Sequence, residues 1–244
     1  MKTNIIKVSA MKKACAIIAV LALSLCFLGC SSSSSSGSGG ETSSTKSAAD
    51  TSSPTNLTLD ETGYSVTSSG YVKYGFKMSN PNNNYMAQYP VISITGKAAD
   101  GSIIFADKQT MMKIYSGETI SYGGQAGNGT PPTTVEFTIS VDDRNWKKTT
   151  DTRSDLYTIS APNVVVGQYG NTSFTGQIAL NKEDDSATKP AVTVLLRDGA
   201  GKIVYGQTTY VSTALSVGAP QAFELSIYKP PEYANYEISA TPWM

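Results

Sequence analysis

Histidine is absent from all 244 residues, and the three cysteines are Cys15, Cys26 and Cys30. Those facts close most side-chain chemistry. Ser-His-Asp and Cys-His nucleophiles need an imidazole, and zinc draws its ligands mainly from Cys and His. No P-loop and no Gly-x-Gly-x-x-Gly after a strand occurs. The stretch GGQAGNG, Gly123 to Gly129, has the glycine content of a phosphate cradle. It leads into Pro131-Pro132 and a strand instead of a helix N-terminus, so a long hairpin loop is expected there. Carboxylates remain. Asp142-Asp143 and Glu183-Asp184-Asp185 could offer oxygens to calcium, or form a glycosidase-like pair across loops. Neither run has EF-hand spacing, and adjacent acids in a polar loop ordinarily stay solvated. The expectation is no catalytic residue, no metal site, no cofactor and no enzymatic activity.

Aromatic contact is the chemistry left over. The chain holds 14 tyrosines, all after residue 30. Many fall at inward positions of alternating segments and belong to a core. Others crowd polar turns: Tyr85 and Tyr89 in NPNNNYMAQYP, and Tyr228, Tyr233 and Tyr236 around YKPPEYANY. Tyrosine supplies rigid contact area at low entropic cost, and binding residues gather on loops. These five are the candidate binding residues, for a protein or glycan partner. Trp146 and Trp243 lie near segment ends, placed to plug a sandwich bottom or a seam between domains.

Those side chains need a scaffold, and its period is two. Tyr74, Phe76 and Met78 alternate with polar residues, as do Ile92 and Ile94, and Val135, Phe137, Ile139 and Val141. Val192, Val194 and Leu196, then Phe223, Leu225 and Ile227, do the same later. Such alternation predicts strands buried on one face. The chain also matches itself at an offset of 100: Val66 meets Val166, Gly70 meets Gly170, Pro90 meets Pro190, Gly101 meets Gly201 and Ser116 meets Ser216. Past Gly117, which meets Gly218, the offset is 101. A tandem repeat of about 90 residues follows. In RDGAGK, Asp198 opens a type I turn and Gly201 closes a bulged hairpin. About seven short strands per copy predict an all-β fold of two tandem immunoglobulin-like antiparallel β-sandwiches, residues 56–146 and 156–244, joined by a linker at 147–155.

The segments VTVLLRDGAGKIVYG with LSVGAPQAF, and ISITGKAADGSIIFAD with IYSGETISY, resemble the FxLYD-type domains of bacterial surface lipoproteins. The resemblance covers roughly residues 63–141 and 164–240. It implies an immunoglobulin-like sandwich exported to the cell surface. The second copy departs from the pattern in having Arg197 where that family often has Tyr.

The N-terminus supplies an address. Four lysines and no acid precede the apolar run Ala14–Leu28, which is too short to span a bilayer and fits the core of a secretion signal. The stretch from Met11 would be a complete signal by itself, so translation could start there. FLGC resembles the lipobox of bacterial lipoprotein signals, with Phe27 where the family prefers Leu, Val or Ile. By that resemblance cleavage follows Gly29, and Cys30 carries the lipid. Residues 30–55 then form a disordered Ser/Gly-rich tether, with membrane lipid as the first partner. Without residues 1–29 the chain keeps 15 basic against 19 acidic side chains. An acidic balance lacking a basic patch argues against nucleic acid. The expected role is a membrane-anchored, extracytoplasmic, non-enzymatic binding or adhesion module. The alternatives are an accessory subunit of an envelope complex and, third, a carboxylate hydrolase.

Overall fold

The computed structural model describes residues 53–243 apart from Ser154; Cys30, Gly29 and the tether up to residue 52 lie outside the described residues. The fold is all-β. Among the described residues there are fifteen strands, two short 3-10 turns at Asp143–Asn145 and Asp185–Ala187, and no α-helix.

Strands β1 (Thr58–Val66), β2 (Val72–Ser79) and β7 (Thr119–Ala126) form one antiparallel sheet in the order β1-β2-β7. β5 (Ile103–Thr110), β4 (Val91–Lys97) and β8 (Thr134–Ser140) form a second, in the order β5-β4-β8. Between them lies a core of Tyr74, Phe76, Met78, Ile92, Ile94 and Ile120. Val135, Phe137 and Ile139 pack against its margin. The alternation in β2 and β4 therefore points the expected side chains inward. A small third sheet, β6 (Lys113–Ile114), β3 (Tyr85–Gln88) and β9 (Trp146–Lys148), closes one end. β9 pairs with β3 and carries this half to Lys148, past the expected boundary at 146.

The second half repeats the arrangement with six strands. β10 (Tyr157–Val166), β11 (Asn171–Leu180) and β14 (Gln221–Tyr228) form the sheet β10-β11-β14. β13 (Ile203–Tyr210), β12 (Pro190–Arg197) and β15 (Asn235–Pro242) form the sheet β13-β12-β15. Phe174, Ile178, Val192, Val194, Leu196, Phe223 and Leu225 fill the space between them. Gly201 adopts φ 83° and the Asp198 carboxylate accepts from the backbone N–H of Ala200 and Lys202, both at 2.9 Å, so the turn is built as its residues predict. Gly70 and Gly170 both adopt φ 80°, and Gly101 matches Gly201 at φ 84°.

The halves meet through sheet faces that point away from their own cores. β13 lies against β1, β2 and β7, and β12 and β15 lie against β7. The four principal sheets therefore stack as four layers. β12 is buried at Pro190 through Leu196 without alternation, because one face serves the second half's core and the other serves this seam. Glycines set the spacing. A Cβ on Gly206 would sit 2.7 Å from the Gly75 Cα and 2.8 Å from the Gly123 Cα. Backbones approach this closely only where side chains are missing. Here the structure corrects the sequence reading: Gly123 and Gly124 belong to strand β7, Gly123 meeting Gly206 of the opposing sheet and Gly124 lying against Tyr74 of its own sheet, and the loop begins only at Gly127.

Polar contacts pin the same seam. The Lys77 ammonium donates to the Glu237 carboxylate at 2.8 Å. Arg197 forks between Glu61 of the first half and Glu237, 3.0 Å away. The Gly123 N–H donates to the Thr208 hydroxyl at 3.0 Å. Trp243 stacks on Tyr122 of the first half with ring centroids 6.2 Å apart and meets Tyr210 at 4.8 Å.

Candidate functional site

At one end of the seam the layers part and leave a groove of about 790 Å³. Four pieces of chain line it: the turn Ser116–Thr119 before β7, the connector residues Thr152, Arg153, Asp155 and Leu156, the start of β10, and β15 from Ile238 to Pro242. Tyr157, Ile159, Ile238 and Ala240 make it largely apolar, and Glu118 and Asp155 bring acid.

Glu118 is placed by its own turn. Gly117 takes φ 68°, the Glu118 N–H donates to the Tyr115 carbonyl at 3.1 Å, and the Tyr115 N–H donates to the carboxylate Oε2 at 2.7 Å. Ser116 and Gly117 anchor the turn by donating to the Asn82 carbonyl. Asn82 in turn exchanges two hydrogen bonds, each 2.7 Å, with the backbone of Thr55. Burial pushes the Glu118 carboxyl up to about 7, against the weaker pull of the Tyr115 N–H and of Arg153. The other shifted carboxyls among the described residues, Glu61, Asp100, Asp142 and Glu237, all move down.

Arg153 lines the same groove and is engaged within the protein. Its guanidinium pairs with Asp184 at 3.0 Å and lies 4.0 Å from the centre of the Tyr115 ring. This contact fixes the connector between the halves against both of them. Tyr157 donates its hydroxyl to the Ala187 carbonyl at 2.5 Å, and burial raises its pKa.

The acidic runs have structural partners. Asp142 caps the 3-10 turn and chelates Arg144, which holds its carboxyl down at about 2. Asp184 is the Arg153 partner, and Asp185 opens the second 3-10 turn. Among the described residues no three His, Cys, Asp or Glu side chains converge as a metal site.

The five sequence-selected tyrosines do not share one place. Tyr85 is buried in β3, with the Lys148 ammonium 5.6 Å from its ring centre. Tyr89 is exposed at φ 50° in the turn before β4. Tyr233 and Tyr236 both lean on Phe174, with centroids 6.4 and 5.2 Å away, and so roof the second core. Tyr228 is two-thirds exposed at the end of β14, paired across from Asn171. Beside it the structure adds residues that the sequence reading passed over: Tyr169, 80% exposed in the β10–β11 turn, and Val165 and Val166 at the end of β10. Lys229 donates its N–H to the Gly170 carbonyl, tying the two loops into one tip. The signal was present in VVVGQYG, which places apolar residues against a turn. Glu118 was missed because one glutamate in the turn YSGET belongs to no pattern.

No family model matches the chain, and no curated protein matches it. Among solved structures, an exo-chitosanase of Amycolatopsis orientalis, CsxA, is similar over 72% of this chain at 11% identity, with a TM-score of 0.21. Two complexes of variants of that enzyme with PNP-beta-D-glucosamine give 10% identity and a TM-score of 0.19. The chain spans about a quarter of the length of these structures.

Proposed function

We propose that this chain is a lipid-anchored binding module on the extracytoplasmic face of a bacterial membrane, with two immunoglobulin-like copies of an FxLYD-type domain. Cys30 would carry the lipid after cleavage at Gly29, and residues 31–55 would hold the folded body off the bilayer. Two or more acyl chains, at about 0.8 kcal/mol per buried methylene, suffice for stable retention. The observation that carries the binding role is the tip of the second half. Tyr169 in the β10–β11 turn, Tyr228 at the end of β14, and Val165 and Val166 at the end of β10 are exposed at one end of that sheet, where a backbone hydrogen bond joins Lys229 to Gly170. Exposed aromatics of this kind suit contact with a protein or glycan.

Crosslinking on intact cells followed by mass spectrometry tests the reading. A partner should be captured by the wild type and lost from the double variant Tyr169→Ala/Tyr228→Ala, with the melting temperature preserved. Equal capture by both rejects the tip as the contact.

A further inference from the structure

We infer that the seam groove is a binding site for an organic ammonium ion with an apolar body, whose cationic head meets the Glu118 carboxylate. This goes beyond the anchor and the tip, and neither is needed for it.

Three observations carry the inference. First, Glu118 is half-satisfied. Its Oε2 accepts from the Tyr115 N–H at 2.7 Å, its other oxygen has no hydrogen-bond partner among the described residues, and the residue lines the groove. A carboxylate taken out of water without full pairing is costly, and a cation at that oxygen removes the cost. Burial raising its proton affinity is the same imbalance seen from the side of the proton.

Second, the cation already present is engaged. Arg153 is bound to Asp184 at 3.0 Å and stacked on Tyr115. Asp155 adds another acid to the lining, so the groove offers a cation more charge than Arg153 balances.

Third, the walls choose the class of cation. Calcium takes 6–8 oxygen ligands. Here only two carboxylates, those of Glu118 and Asp155, share the lining with Tyr157, Ile159, Ile238 and Ala240. Such walls suit hydrocarbon next to the charged head. The volume of about 790 Å³ lies within the range of small-molecule sites, roughly 300–1,000 Å³.

The test uses the full-length chain and three probes of similar shape: 2-phenylethylammonium, 2-phenylethanol and 3-phenylpropionate. Binding is read from the amide shifts of Gly117, Glu118, Tyr157 and Ala240. The ammonium should shift them saturably, and the alcohol and the carboxylate should bind at least about tenfold more weakly. Glu118→Gln keeps the shape and the Tyr115 hydrogen bond, and should lose about tenfold or more for the ammonium alone. Glu224→Gln, on an exposed strand face of the second half, should bind like the wild type. Absence of saturable shifts at these amides, equal binding of ammonium and carboxylate, or unchanged binding by a folded Glu118→Gln each overturns the proposal.

Discussion

Glu118 sets a pH dependence that most surface carboxylates would not. Its folded pKa of about 7 stands above its ordinary value of 4.5. The folded chain therefore holds a proton that the unfolded chain has already released. The stabilisation is full below about pH 4.5 and is lost as the pH climbs through 7, by about 2–3 kcal/mol for a shift of this size. Glu118→Gln does not titrate. Its melting temperature should stay flat between pH 5 and 8, while the wild type falls by roughly 5–10 °C. Parallel curves in a pH-resolved thermal scan would contradict this. A destabilising carboxyl retained beside a groove is what a binding function explains and packing does not.

At the scale of strands, the seam is held by missing side chains and by one arginine. Gly206→Ala places a methyl against Gly75 and Gly123, and should cost about 1–3 kcal/mol in chemical denaturation, as overpacking does. Gly101→Ala is a different case: its Cβ meets open space and only the left-handed backbone objects, at about 1 kcal/mol. Arg197 connects β12 to β1 and β15; it holds the Glu61 carboxyl below its usual range, and Lys77 and Arg197 together outweigh burial to hold the Glu237 carboxyl down. Their contribution runs opposite to that of Glu118. It is present above the ordinary carboxylate range and lost as the pH falls through the depressed folded values. Arg197→Ala should therefore cost about 1 kcal/mol at neutral pH, since both glutamates keep solvent contact, and the difference should vanish in acid. Strands were legible wherever one face is dry: Tyr74, Phe76 and Met78 announce β2. β12 was legible as a strand, but not as one buried on both sides, because Ala191, Thr193 and Leu195 look like an ordinary outer face until a second sheet covers them. Gly123 and Gly124 read as loop, because glycine marks a turn far more often than a sheet contact.

For the whole molecule, the alternation announced an all-β body, yet nothing local in the chain foretold that the outer faces of its two halves join. That contact pairs residues more than 70 positions apart, such as Gly123 with Thr208 and Lys77 with Glu237. It predicts one cooperative calorimetric transition for the two halves, with two resolved transitions as the contrary result. The proposed membrane retention rests on residues outside the described body. Cys30→Ala should move the protein from the membrane fraction to the medium or stall its processing, and unchanged fractionation rejects the lipid anchor.

The glycine triplet Gly63, Gly75 and Gly123 lines up across three strands, and its register equivalents in the second half are Asn163, Thr175 and Glu224. On the opposing side Gly206, paired with Leu195, corresponds to Ala106, paired with Thr95. The two terminal faces of the stack are thus the same surfaces in topology, but with side chains where the joint has bare backbone. A second molecule cannot add to either end by the rule that joined the first pair. Growth into a fibre stops at the covalent dimer of modules, and sedimentation at high concentration should find single chains of the folded body.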